Sequence, residues 1–394
     1  MLSNIFLYGR DKLTFESALK ISNDQLECNI GDEEIKKINI SREHIKNVIK
    51  SNQTVYGVNT GFGALCSTII SNKDSTLLQE NLLKSHAVGV GENVPAEISK
   101  LMLIIKVHSL CMGFSGIRIG VIKRICWHIE NNIIPIVPSQ GSVGASGDLA
   151  PLAHLFLPLI GKGKLLYKGN QLDTEKVLKK EKKIPLSLKE KEGLALINGT
   201  QFISAYGCSA LNKFKNCLDN ADIISSLTLE GTQSSIKSFS DKIQILRPYK
   251  GSLIVTNKVR DLLLGSQVLE SHNDSDKVQD PYSIRCIPQV HGASWDAYLH
   301  LKNVLDIELN SVTDNPIVIN KSEIISGGNF HGQPIAIPID YNIIAASEIG
   351  NISDRRIYLL LKGNKVVPKL LMKNTGVNSG FMILQYTSAA LASE

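Results

Sequence analysis

The chain has 394 residues, 43% of them hydrophobic, with a formal net charge of +6 at pH 7. This length can bury a large core and permits two or three domains. It contains no run near the ~18 apolar residues of a membrane helix; Leu101 to Phe114 comes nearest, and Lys106 and His108 break it. Seven Cys without Cys-x-x-Cys spacing argue against a disulfide framework and a zinc site. Lysines dispersed among acidic residues give little support to nucleic-acid binding. Met1 to Arg10 lacks the positive start, apolar core and small-residue site of a secretory leader, so a cytoplasmic protein is expected.

In chain order, Thr14 can cap a helix at Phe15, and Ser41, with Glu43 behind it, reads as a second helix start. Val55 to Gly63 places three glycines around Tyr56 and Phe62; by spacing alone it is a turn with a half-buried tyrosine. Residues 76 to 88 put Leu78, Leu82 and Ala87 on one helical face and carry Ser85-His86 near the end. Residues 95 to 130 read as long amphipathic helices interrupted by Gly113 to Gly116, and Pro135 and Pro138 straighten the segment that follows.

Gly141-Ser142-Val143-Gly144-Ala145-Ser146-Gly147-Asp148 then changes without a gap into an apolar helical pattern, with Asp148 expected in the first turn. On its own this is a glycine-rich turn ahead of a helix. The same residues also allow a chemical reading. If the loop is bent hard, the Gly147 amide nitrogen can reach the Ala145 carbonyl with no Cβ in the way. Loss of water from the new ring and from the Ser146 side chain then leaves a conjugated electrophile, a methylidene-imidazolone.

Residues 160 to 193 are polar, centred on Lys179 to Lys183, and read as a solvated surface excursion. Glu192 to Gln201 includes Asn198 before Gly199, and residues 201 to 230 predict a core helix. Ser271 to Lys277 reads as a mobile loop, after which Tyr282 and Arg285 share one side of a helical turn. Thr313 to Pro316 is a turn by its proline, and Ser326 to Pro334 is another glycine-rich loop, carrying Asn329, Phe330 and His331. Ile344, Glu348, Ile352 and Arg356 predict a long helix over 340 to 361; Pro368 marks a break, and a further helix opens after Gly376.

Gly144-Ala145-Ser146-Gly147-Asp148-Leu149-Ala150-Pro151-Leu152-Ala153-His154 resembles the prosthetic-group loop of the histidine and aromatic amino acid ammonia-lyase family. The resemblance implies a mainly α fold: a long-helix bundle of the ammonia-lyase and fumarase-like type, with a smaller loop-rich N-terminal region carrying an active-site lid. Residues 1-200 would form that region and 201-394 the helical bundle. It implies a 4-methylidene-imidazol-5-one formed autocatalytically from Ala145, Ser146 and Gly147, no diffusible cofactor and no metal. It also implies Tyr56 as general base, although a phenol with a pKa near ~10 needs activation for that task. Asn198 would bind the prosthetic ring or the substrate amine, and Arg285 the substrate carboxylate. Tyr282 and Gln279 would line the same pocket, Phe330 would pack by the electrophile with Asn329 nearby, and His331 would orient its loop.

In this family the pair at Ser85-His86 falls where substrate choice is made, and Ser-His resembles the histidine-specific branch. The implied activity is elimination of ammonia from L-histidine to give urocanate, by a homotetramer with shared active sites. The alternatives are a tyrosine 2,3-aminomutase or tyrosine ammonia-lyase with the same electrophile, and a catalytically inactive scaffold. The last is motivated by the end of the chain at Glu394, where members of the family continue with more helices and a carboxylate-bearing loop. On that reading the chain is expected to be less stable or poorly assembled.

Overall fold

The computed structural model describes residues 5–51, 54–71, 74–271, 278–374 and 376–394. The helices are α1 (Phe15–Ser22), α2 (Asp32–Lys50), α3 (Ser75–His86), α4 (Ala96–Cys111), α5 (Ile119–Glu130), α6 (Leu149–Phe156), α7 (Thr174–Lys180), α8 (Glu192–Ile197) and α9 (Gln201–Gly231). They continue with α10 (Asp241–Gln244), α11 (Lys250–Leu262), α12 (Gln267–Glu270), α13 (Tyr282–Arg285), α14 (Ile287–Glu308), α15 (Gln333–Lys362) and α16 (Met382–Ser393). Only short strands accompany them, so the fold is mainly α, as the sequence implies. The chain groups into two compact units. One comprises Met1–Ala210 and Asn303–Ile337, the other Leu211–Lys302 and Pro338–Glu394, and the boundaries fall within α9, α14 and α15.

In the first unit, Thr14 caps α1 as its sequence predicts, in a reciprocal capping box with Ser17. The second predicted start is different. Helix α2 runs unbroken from Asp32 through Ser41, whose buried hydroxyl accepts from the Gly116 amide at 3.0 Å. A long-range partner has taken the oxygen that a local cap would use. Helix α5 is amphipathic, but α4 is not, because every residue from Ile98 to Cys111 is buried. A helix enclosed on all sides loses its polar face.

The lysine-rich region also departs from a purely solvated excursion. Strands Lys164–Tyr167 and Asn170–Asp173 pair antiparallel, and Lys168 and Gly169 at their tip both adopt positive φ, as a tight two-residue hairpin turn requires. Leu165 and Val177 pack with Ile133 in a small buried cluster, leaving the lysines around 179 at the end of α7. Strands Val90–Asn93 and Pro138–Gln140 pair just ahead of the glycine loop.

In the second unit, α9, α11, α14 and α15 share a buried polar network. His291 contacts Asp222 at 2.7 Å, Trp295 donates to the same carboxylate at 3.1 Å, and Arg356 approaches the other His291 nitrogen at 3.2 Å. Lys258 reaches Asp222 at 3.3 Å. The predicted helix over 340 to 361 begins earlier, at Gln333, and Pro338 lies inside it. The predicted mobile loop lies, for residues 272–277, outside the described residues. Among the described residues no helix is long and apolar enough to cross a membrane. All seven cysteines are free, and no described group of side chains could hold a metal ion.

Candidate active site

The glycine loop is built by its backbone. Gly141, Gly144 and Gly147 have φ of +143°, +70° and +78°, values that glycine adopts without steric cost. A Cβ on Gly147 would stand 3.0 Å from both the nitrogen and the oxygen of Gly199 and 3.3 Å from the Phe330 Cβ. Gly147 is buried there, while Ala145 and Ser146 are exposed.

Asp148 closes the turn. It precedes α6 at the N-cap position, outside the first turn, and its side chain makes no capping bond to that helix. Its carboxylate instead accepts from the amides of Phe202 at 3.0 Å and Ile203 at 3.1 Å, which are first-turn amides of α9, and from the Ser142 hydroxyl at 2.9 Å. Its own amide donates to Gly199 O at 2.7 Å. Burial raises the Asp148 carboxyl above its ordinary range, and the hydrogen bonds from Ile203, Ser142 and Phe202 pull against that shift. Two helix N-termini, those of α6 and α9, thus meet at Asp148, whose carboxylate takes the first-turn amides of α9.

A cavity of about 680 Å³ opens beside Ser146, with Tyr56, His86, Asn198 and Phe330 in its wall. The Tyr56 oxygen accepts from the Gly63 amide at 3.2 Å, and its ring meets Phe62 edge-on at 6.4 Å. Helix α3 contributes Leu78, Asn81, Leu82, Ser85 and His86. His86 Nδ1 lies 2.9 Å from Leu82 O and 3.0 Å from the Ser85 hydroxyl. A carbonyl can only accept, so the network assigns the hydrogen to Nδ1 and leaves Nε2 of the neutral ring as an acceptor.

Asn198 terminates α8 with an extended backbone. Its side-chain oxygen is buried without a partner. Lys106, from the centre of α4, donates to Ala195 O at 2.9 Å and Asn198 O at 2.7 Å. Burial pulls this ammonium down to about 7, against an opposing attraction from Asp314. At the other end of α8, Lys191 pairs with Asp314 at 2.9 Å, both fully buried.

The loop ahead of α15 joins through Gly332, whose amide donates to Gly144 O at 2.8 Å. This brings Phe330 to the cavity, while Asn329 turns away and donates to Val312 O at 3.2 Å. His331 Nδ1 accepts from the Gln333 amide at 3.2 Å, ordering the start of α15.

Gln279, Tyr282 and Arg285 belong to the second unit. The Arg285 guanidinium stacks 4.5 Å from the Tyr282 ring centre, as their spacing predicts, and its Nε is buried without a partner. Gln279 and Tyr282 are exposed. Arg356 donates to Ser283 O at 3.4 Å, which ties this turn to the His291–Asp222 network. Burial holds Arg356 down to about 10.

Sequence reasoning missed Asn315, read only as part of a turn. It lines the cavity, donates to the Ser326 hydroxyl at 3.2 Å and accepts from the Gly327 amide at 2.8 Å. Sequence reasoning also gave Lys106 no role beyond breaking an apolar run, although a lysine inside an apolar helix was a usable signal.

The family model described as "Aromatic amino acid lyase" matches residues 13–394. A histidine ammonia-lyase of Streptococcus pyogenes serotype M1 is 43% identical over 385 residues, 98% of this chain and 75% of that protein. A second histidine ammonia-lyase, from Caldanaerobacter subterraneus, is 41% identical over 386 residues, 98% of this chain and 76% of its own. Among solved structures, a histidine ammonia-lyase from Trypanosoma cruzi matches with a TM-score of 0.88 at 37% identity, covering 98% of this chain and 73% of its own. A tyrosine aminomutase from Streptomyces globisporus matches with a TM-score of 0.92 at 31% identity, covering 99% and 78%.

Proposed function

We propose that this chain, which belongs to the aromatic amino acid lyase family, eliminates ammonia from L-histidine to give urocanate. The observation that carries the reading is the meeting of Ser85-His86 with Ser146, Tyr56 and Asn198 around one cavity. It is supported by 43% identity to a histidine ammonia-lyase over 98% of the chain.

The loop geometry suits a 4-methylidene-imidazol-5-one made from Ala145, Ser146 and Gly147. Positive φ at Gly144 and Gly147 bends the chain, and Gly147 lies so close to Gly199 that a side chain would collide. The convergent N-termini of α6 and α9 and the unpartnered Asn198 oxygen offer the polar surroundings that such a ring needs. When formed, the group supplies an electrophile that eases departure of a poor leaving group.

The chain's own side chains supply the remaining work. Tyr56 takes the β-proton, its oxygen aimed by the Gly63 amide. His86 Nε2 accepts from the N–H of the substrate imidazole. Arg285 takes the substrate carboxylate, a task suited to a planar guanidinium with a free N–H. Asn198 binds the amine or the ring, and Phe330 packs on the apolar side. The active species is a homotetramer with shared active sites, working in the cytoplasm.

Tyrosine is the second reading, favoured by the likeness to a tyrosine aminomutase at a TM-score of 0.92; His86 could then meet a phenol hydroxyl. Product analysis after incubation with each amino acid separates the two. Urocanate from histidine and nothing from tyrosine is expected; a β-amino acid or coumarate from tyrosine, with no urocanate, overturns the proposal.

A further inference from the structure

Lys106 has no place in the roles assigned above, yet it donates to two carbonyls at the end of α8. It is 1% exposed. A lysine is retained at such a position only against a large desolvation cost, and its hydrogen-bond partners are backbone oxygens instead of a carboxylate. These oxygens, Ala195 O and Asn198 O, belong to the C-terminal turn of α8, where carbonyls lack helical donors and favour a cation.

The consequence reaches the cavity through one peptide unit. Asn198 O is held by Lys106 at 2.7 Å, and the next carbonyl, Gly199 O, is held by the Asp148 amide at 2.7 Å. Gly199 in turn stands against Gly147. With both carbonyls fixed, the direction in which the Asn198 Cα–Cβ bond leaves the backbone is set, and the side-chain oxygen it carries is buried without a partner. The same pins set the position of the Gly147-Asp148 turn.

We propose that Lys106 is a positioning residue: it aims Asn198 into the cavity and holds the Gly147-Asp148 turn in the shape that ring closure needs. This inference rests on the histidine reading for its kinetic arm and on the methylidene-imidazolone alone, whatever the substrate, for its mass arm. Lys106→Met keeps the volume and removes the donors. Displacement of a positioned group by about 1 Å can cost on the order of 100-fold in rate, so kcat for histidine is expected to fall by about that factor, with KM little changed. The fraction of chain lighter by two waters at residues 145–147 should fall as well.

A merely structural role would not show pairwise coupling. Counted per modified chain, so that any shortfall in ring closure is divided out, the loss from Lys106→Met should not multiply with that from Asn198→Ala, because both then act through one side chain, and should multiply with that from His86→Leu. Should Lys106→Met fail to fold, Lys106→Gln, with donors on a shorter stem, is read in the same way. Wild-type kcat with complete loss of two waters in a folded variant, or losses that multiply with Asn198→Ala, would overturn the inference. A wild-type chain that is lighter by two waters but makes no urocanate defeats the substrate reading alone. The masses of the Lys106 variants then decide: a reduced modified fraction supports the inference, and an unchanged one overturns it. An unmodified wild-type loop overturns both.

Discussion

Replacing Gly147 with alanine adds one methyl group where the loop has no room for it. The new Cβ would lie 3.0 Å from the Gly199 nitrogen and oxygen, backbone atoms that cannot swing aside because Gly199 O is bonded to the Asp148 amide. Two costs add. A non-glycine residue at φ +78° carries about 1–2 kcal/mol of backbone strain, and overpacking against fixed atoms adds about 1–3 kcal/mol. The sum is about 2–5 kcal/mol. Gly144 in the same loop is an internal control, since its φ is +70° but its Cβ would meet nothing within 4 Å. Gly144→Ala should therefore cost only the backbone part, about 1–2 kcal/mol. Urea unfolding of the two variants measures the difference, and peptide mass reads whether residues 145–147 still lose two waters. Gly144→Ala should retain that loss in most molecules and Gly147→Ala should not. Equal destabilisation by the two substitutions, or a fully modified Gly147→Ala loop, would refute the close-approach argument.

Other outcomes follow from the same geometry. Asp314→Asn leaves Lys191 buried without its counter-charge and should destabilise by about 3–5 kcal/mol, read as a lower urea midpoint; replacing both partners by apolar residues should cost less. His128 is buried with its folded pKa lowered to about 4, mainly by burial, and donates from Nδ1 to Ile133 O at 2.9 Å. A folded pKa below the unfolded value of ~6.5 means that the unfolded chain binds the proton first. Its contribution is therefore intact above ~6.5 and is lost as pH falls toward 4, with a slope of up to about 1.4 kcal/mol per pH unit. Unfolding midpoints at pH 7 and pH 5 should differ less in His128→Gln than in the parent. His86→Leu removes a side-chain acceptor from the cavity wall, so kcat/KM for histidine should fall by at least about 100-fold while thermal unfolding stays close to the parent; unchanged urocanate production would remove His86 from substrate recognition.

Local chemistry made much of this architecture legible. Thr14 capping α1, the Tyr282–Arg285 stack and the long helix around Ile344 to Arg356 all depend on residues within a turn or two of each other. Tyr56, His86, Ser146, Asn198 and Phe330 stood out through the resemblance of their segments to the ammonia-lyase family, since by spacing alone they read as turn or ordinary helix residues, and the fold gathers those five around one cavity. What escaped the sequence is set by distant partners. Ser41 reads as a cap until the Gly116 amide, 75 positions away, is seen to use its oxygen. Helix α4 reads as amphipathic, yet neither Lys106 nor His108 meets water. Both are buried, one satisfied by the carbonyls ending α8 and the other bonded to the Gly9 amide and Asn310. Asn315 reads as a turn residue because its proline neighbour dominates the local pattern, while its cavity position depends on Ser326 and Gly327.

The chemistry of three residues underlies the proposed activity, and an intact and peptide mass spectrum across Ser139 to Leu155 tests it before any substrate is chosen. A peptide lighter by two waters is expected, with the loss confined to Ala145-Ser146-Gly147. A peptide of unmodified mass from folded protein would contradict it.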